Sequence, residues 1–255
     1  MKILIGCLTL ATALGLGVGW AGPATAATAP AARPDWSGVW ENIIGIHFTN
    51  PAGKPNPPPL NAEYAAKYKV VRDSAANGRP INDPTANCVW PGVPRVIVSP
   101  YPSEYLIQDD RVTIIYEYMS QVRRIFTDGR KHPDDLEPSY NGHSIGHWEG
   151  DTLIVDTVGM RGDTMYENTG LPHSDVLQLK ERIRLIAPDL LEDEVTAIDP
   201  KALTAPWTTK VHYRRQPTWD MLDYVCAENN RNPLAPSGNT LTLGADGKPI
   251  NVDAN

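Results

Sequence analysis

From residue 104 onward, apolar and polar positions alternate one by one, which is the period of a half-buried strand. Residues 111–119 are rich in β-branched and aromatic side chains, and residues 121–126 continue the pattern to Asp128-Gly129, a tight-turn signal. Residues 143–148 run into Glu149-Gly150-Asp151, and residues 152–158 return from it. Residues 177–186 turn at Ala187-Pro188-Asp189 into 191–198, and 207–214 and 219–226 complete the series. With residues 36–46 counted first, the pattern predicts about eight or nine short strands joined by reversals. An all-β antiparallel meander follows, and closing it into a lipocalin-like barrel removes its exposed edges. A two-sheet sandwich is the alternative.

Ahead of the strands, the pattern is different. Residues 61–73 open with Asn61 as a cap and continue in good helix formers, with Tyr64, Tyr68 and Val71 at helical spacing. This predicts one short N-terminal helix, ended by Asn77-Gly78. The stretch before it (50–59) and the stretch after it (80–102) are punctuated by prolines and are expected to be extended connections.

Residues that carry polar groups in phase with the apolar set are the candidates for chemistry. Glu181 shares a face with Leu177, Leu179, Ile183 and Leu185, so its carboxylate must be paired, hydrogen-bonded or held protonated. On residues 121–126, Arg124 is in phase with Val122 and Phe126, and Arg123 with Ile125, so one arginine must face inward. Arg124 is the expected partner of Glu181. Glu117 alternates with Ile115 and Met119, against Tyr116 and Tyr118, while Asp156 lies between Ile154 and Val158. Glu117, Tyr116, Trp148 and Asp156 are therefore candidate ligand contacts.

The histidines add two candidates. His143 and His147 would be about 13 Å apart on a strand and cannot share an ion, so no metal site is expected. His143 remains a candidate base, and His173, on the long loop after Met160, a candidate acid over a barrel mouth. His212 is expected on the surface with Lys210 and Arg214. The run Gly142-His-Ser-Ile-Gly146 mimics a nucleophile elbow but lacks the strand-to-helix context, and no phosphate loop or dinucleotide fingerprint occurs, so no cofactor is expected. Seven tryptophans and ten tyrosines stand against two phenylalanines. That mix suits aromatic or sugar-like ligands, because each ring offers apolar area with a polar handle.

Composition places the chain in a compartment. Lys2, the uncharged run 3–20, the break at Gly22-Pro23 and Ala24-Thr25-Ala26 read as a cleaved signal peptide over 1–26. A lipoprotein signal at Cys7 does not fit, since the apolar run follows that cysteine instead of preceding it. Residues 27–35 are expected to be a flexible leader, 36–231 a single barrel-like domain, and 232–255 a disordered tail rich in Pro, Gly, Asn and Asp. Lys2 is the one charge removed with the signal, leaving 22 basic and 30 acidic residues, a net of −8. This balance disfavours nucleic acid and anionic membrane surfaces as partners. No second long apolar run appears, so no membrane insertion is expected after cleavage. Cys88 and Cys226 then remain as an even pair in an oxidising space and are expected to form a disulfide.

Several runs together carry a resemblance. They are 35–41 (Asp-Trp-Ser-Gly-Val-Trp-Glu), 88–95, 128–133, the long run 142–157 and Cys226-Ala-Glu-Asn-Asn-Arg231. Taken together they resemble a group of exported bacterial proteins, over most of the mature chain. The resemblance implies export and carries no reaction or residue role to this chain. Three functions stay open: a periplasmic barrel binding a partly apolar or aromatic small molecule, a cofactor-independent lyase, isomerase or hydrolase using acid–base residues inside the barrel, and an envelope interaction protein with a filled barrel.

Overall fold

The computed structural model describes residues 33–43, 56–77, 83–228 and 248. The signal peptide, most of the leader and the tail expected from the sequence lie outside the described residues. The unit formed by residues 33–255 is built on a closed barrel of nine strands in sequential order. These are β1 (Val39–Asn42), β2 (Ser103–Ile107), β3 (Arg111–Tyr116), β4 (Gln121–Phe126), β5 (His143–Glu149), β6 (Thr152–Val158), β7 (Gln178–Ala187), β8 (Leu190–Ile198) and β9 (Trp207–Gln216). β9 pairs with β1, so the sheet closes on itself and no edge is left.

That closure explains one departure from the alternation. Residues 219–226 alternate like a strand, yet they form none, because β1 already occupies the edge of β9. The place in the count is taken by β2, whose five residues form a hairpin with β3.

A second departure concerns direction. All neighbouring pairs are antiparallel except β4 and β5, which are parallel, so the meander is not purely antiparallel. Asp128-Gly129 does turn, with Gly129 at φ +81°, but it does not start a hairpin. The chain instead runs back alongside the barrel through residues 127–142 and re-enters β5 from the end where β4 began. The two ends of the barrel thereby become unequal. One end holds the tight connections 108–110, 150–151 and 188–189, while the other holds 159–177, 199–206 and the described residues 56–77 and 83–102.

Among the described residues two α-helices accompany the barrel: α1 (Ala62–Ala76) and the single turn α2 (Arg95–Val98). α1 is capped as the sequence indicates, the Tyr64 N–H donating to the Asn61 side chain at 3.0 Å. Tyr64, Tyr68 and Val71 form its half-buried side, and no residue of α1 is fully buried. α2 was not legible in the proline-rich stretch. Its four residues are all buried, and the Tyr213 hydroxyl, on the inner face of β9, donates to the Ile97 carbonyl at 2.6 Å.

Side chains fill the barrel. Trp40, Ile114, Ile125, Leu153, Leu179, Ile183 and Tyr213 are among the largest fully buried residues. At the tight-turn end, Trp36 packs on Tyr105 and Trp148 at ring separations of 5.8 and 5.2 Å. At the loop end, Tyr166 closes against Trp207 at 5.2 Å. Cys88 and Cys226 form a disulfide with Cα atoms 5.6 Å apart, tying the segment after β9 to the loop end.

Candidate functional site

Alternation along β4, β6, β7 and β8 sends a small set of polar groups into the barrel. Glu181 is fully buried, as its place in the apolar row of β7 requires. Its partner is Arg123, not Arg124. Arg123 Nη1 donates to Glu181 Oε1 at 2.8 Å, and Nη2 donates to the other carboxylate oxygen. Nη2 also reaches Thr157 Oγ1 at 2.8 Å, and Nε reaches Ser144 Oγ at 3.2 Å. Arg124 points outward and is exposed. The correction has a simple cause: register with β3 places Gln121, Arg123 and Ile125 on the inner side, and Val122 and Phe126 are only half-buried on the outer side.

A second acid, absent from the sequence reading, completes the cluster. Asp193 on β8 is buried beside Glu181 and shares a hydrogen bond with it. Burial, and then the Glu181 charge, hold the Asp193 carboxyl well above the ordinary carboxylate range. Burial opposes the charge on Arg123 as well, but Glu181 outweighs it and keeps the guanidinium firmly protonated. The interior thus sets one guanidinium against Glu181 and beside a second acid, Asp193, whose carboxyl burial holds toward its protonated form. Both Glu181 oxygens and every nitrogen of Arg123 are engaged, and the pair is 0% and 1% exposed. Neither group is free to meet a ligand. The pair is a structural clamp across the barrel.

The sign of Asp193's effect follows from linkage. A carboxyl whose folded pKa lies above its ordinary value of 3.8 takes up a proton on folding. Its contribution is full below that ordinary value and is lost as pH rises through the folded one, at up to about 1.4 kcal/mol per pH unit. Asp193→Asn is therefore expected to gain on the natural protein as pH rises from 5 to 9 in urea unfolding. Parallel stability curves for the two proteins across that window would contradict the protonated acid.

The remaining sequence candidates disperse. Tyr116 is buried inside near Arg123, and burial pushes its hydroxyl pKa up. Glu117 is not on a strand; it begins the turn Tyr118–Ser120 at the loop end, and its carboxylate accepts from the Leu222 N–H at 3.1 Å. Trp148 packs at the opposite, tight-turn end, with the Arg33 guanidinium 4.9 Å from its ring centroid. Asp156 faces outward and accepts from Gln178 at 2.8 Å and Lys180 at 3.4 Å. His143 also faces out, where its Nδ1 lies 2.8 Å from that of His132 and its ring stacks on Phe126. Burial, and then His132, lower the His143 pKa. His173 is on the predicted loop but buried, between Thr164 Oγ1 and the Ser174 carbonyl, and burial lowers its pKa. His212 sits on the outer face against Glu192 at 3.1 Å. Glu181, His143 and His173 therefore do not converge; Arg124 and His143 do line one cleft of about 240 Å³ beside the parallel β4–β5 step, without Glu181 or His173. Among the described residues no group of three or more His, Cys, Asp or Glu side chains is arranged to hold a metal ion.

Further open space lies at the loop end. A cleft of about 290 Å³ is lined by Trp90, Tyr140, Arg161, Thr164 and Arg95, among others. Trp90 is 44% exposed and meets Tyr140 edge-on at 6.3 Å. The Arg161 guanidinium lies 4.9 Å from the Tyr140 ring centroid and pairs with Asp163. Gly92 makes this wall possible. At φ +72°, its absent Cβ would sit 2.6 Å from the Tyr140 carbonyl oxygen, and the next residue, Val93, donates its N–H to that same oxygen at 2.8 Å. Arg95 forms the floor, held by Asp83 through two hydrogen bonds of 2.7 and 2.6 Å, and these outweigh burial to depress the Asp83 pKa.

Strand alternation could not find these residues, since none of them lies on a strand. One signal was present. Trp90 stands directly before Pro91 in a proline-punctuated stretch, and an indole there has no strand neighbour to pack against. No family model and no curated protein matches this chain.

Proposed function

We propose that this is an exported, periplasmic binding protein whose barrel is a rigid frame and whose small-molecule site is the Trp90–Tyr140 cleft at the loop end. A single observation carries this reading: a half-open tryptophan and a tyrosine line a cleft at the loop end, while inside the barrel Glu181 and Arg123 are buried and engaged with each other. Binding proteins place aromatic area and a few polar groups in such clefts. The disulfide fits an oxidising compartment, and among the described residues no helix is long and apolar enough to cross a membrane. The acid–base enzyme reading loses Glu181 as its base, because Arg123 engages that carboxylate.

Native mass spectrometry of protein purified from its host's periplasm, against a denatured control, tests the proposal. The expected result is a small-molecule adduct that disappears on denaturation and in Trp90→Ala. Stability should change by no more than about 0.5 kcal/mol, since the indole is a surface group. An adduct retained in full by Trp90→Ala would place the ligand elsewhere and sink the site. A second reading, an envelope interaction protein, is favoured by the exposed Trp219, Leu222 and Val225 along the segment after β9. Its mark would be no adduct together with co-purification of a protein partner that is lost in Leu222→Asp.

A further inference from the structure

The Trp90 cleft has a neighbour. A second cleft of about 210 Å³, lined by Val98, Ser99, Pro100, Tyr101, Tyr118 and Asn168, shares Arg95 with the first. Tyr101 and Tyr118 stack face to face there, with ring centroids 4.4 Å apart and planes 3° from parallel. Each cleft alone falls short of the roughly 300 Å³ at which ligand pockets begin. Arg95 lines both, so the two clefts lie side by side at one end of the barrel. It thus stands between the two aromatic platforms, its Nε–H buried without a protein acceptor.

Charge narrows the occupant. Arg95 is neutralised by Asp83 and Arg161 by Asp163, so neither cationic group of the clefts is left to select an anion. The acidic balance of the whole chain also works against anionic ligands. What the clefts offer is aromatic rings at two places, the exposed Asn168 amide, and the Thr85, Thr164 and Ser99 hydroxyls, which already donate to Asp83 and to the Arg161 and Arg95 carbonyls and keep acceptor capacity. A neutral, ring-bearing, polyhydroxylated chain matches that set. Its rings present C–H faces to aromatic side chains, and its ring and bridging oxygens accept hydrogen bonds.

From this geometry we infer that the loop end binds a neutral oligosaccharide, with one sugar unit against Trp90 and Tyr140, another against Tyr101 and Tyr118, and Arg95 between them. The inference rests on the reading of this end as the ligand site and gives it a ligand class and two subsites. Calorimetric titration of the full mature protein with cellotriose, maltotriose and chitotriose, each beside its monosaccharide, tests it. At least one trisaccharide is expected to bind ten-fold or more tightly than its monosaccharide. Tyr101→Ala should bring that trisaccharide down to the monosaccharide's affinity and leave the monosaccharide unchanged, while Trp90→Ala weakens both.

Equal affinity for a trisaccharide and its monosaccharide would overturn the two-subsite inference and leave the Trp90 site standing. So would binding of benzoate or a proline-rich peptide, sensitive to Trp90→Ala, with no saccharide bound. If none of these probes gives a signal sensitive to Trp90→Ala, the inference and the site reading fail together. The length dependence is measured on the unaltered protein, so the test does not hang on how Tyr101→Ala folds.

Discussion

Arg123→Ala is expected to lose about 3–5 kcal/mol of folding stability, the cost of stripping one partner from a buried ion pair. For a domain of this size that corresponds to a fall in Tm of about 10–15 °C. The cause is Glu181. With the guanidinium gone, its carboxylate remains fully buried beside Asp193, with no cation to oppose it. Ser144 Oγ and Thr157 Oγ1 keep each other at 2.9 Å, so the loss concentrates on the carboxylate. Arg124→Ala, one residue along, should change stability by no more than about 0.5 kcal/mol, because that side chain is exposed and has no ion pair among the described residues. Urea unfolding of the two variants side by side decides the matter. Equal losses would mean that the inward arginine has been misassigned.

The partnered replacement separates a clamp from a catalytic group. Arg123→Met combined with Glu181→Leu removes both charges and keeps volume in the barrel, which commonly costs little and sometimes stabilises. Most of the stability lost in Arg123→Ala should return. The loop-end cleft, which neither side chain touches through a free polar atom, should bind as before. A pair that served a reaction would not tolerate this exchange.

How much of this could be seen in the sequence depends on what alternation encodes. Period-two patterning marks which residues of β7 share a face, so Glu181 was visible as a polar residue in an apolar row. On β4 the same pattern is symmetric: Val122 and Phe126 on one side are as apolar as Ile125 on the other, and only pairing with β3 selects Arg123. Asp193 was hidden in Glu192-Asp193-Glu194, where three acids in a row show no phase. The barrel itself was legible because short strands with turn signals have few other ways to hide their edges. The parallel step at β4–β5 was not, because Asp128-Gly129 turns in either topology and only the course of 127–142 distinguishes them. The loop-end clefts lay beyond any periodic argument. They are assembled by segments far apart in sequence (83–101, 118, 140 and 161–168) that meet only because the barrel ends are unequal.

Replacing Cys88 and Cys226 together by alanine is expected to cost about 5 kcal/mol, close to the loss from Arg123→Ala but for a different reason. The bridge spans 138 residues, and in the chain-entropy account its removal acts mainly by releasing the unfolded chain. A fall in Tm of about 10–20 °C follows for a domain of this size. The two variants should nevertheless differ in kind. The barrel core contains neither cysteine, so the oxidised and Ala/Ala proteins should share the same near-ultraviolet dichroism from Trp36, Trp40 and Tyr213 in native conditions. Cys226 does hold the segment that brings Tyr224 to within 5.6 Å of Tyr118 and 5.8 Å of Tyr101. Releasing it should loosen the Tyr101–Tyr118 cleft before it loosens the Trp90 cleft or the barrel. Hydrogen exchange in the Ala/Ala protein would show this as faster exchange confined to residues 117–120 and 219–228. Faster exchange spread evenly through β7 and β8 would instead mean that the bridge supports the barrel itself, and that the loop end is no separate layer of the fold.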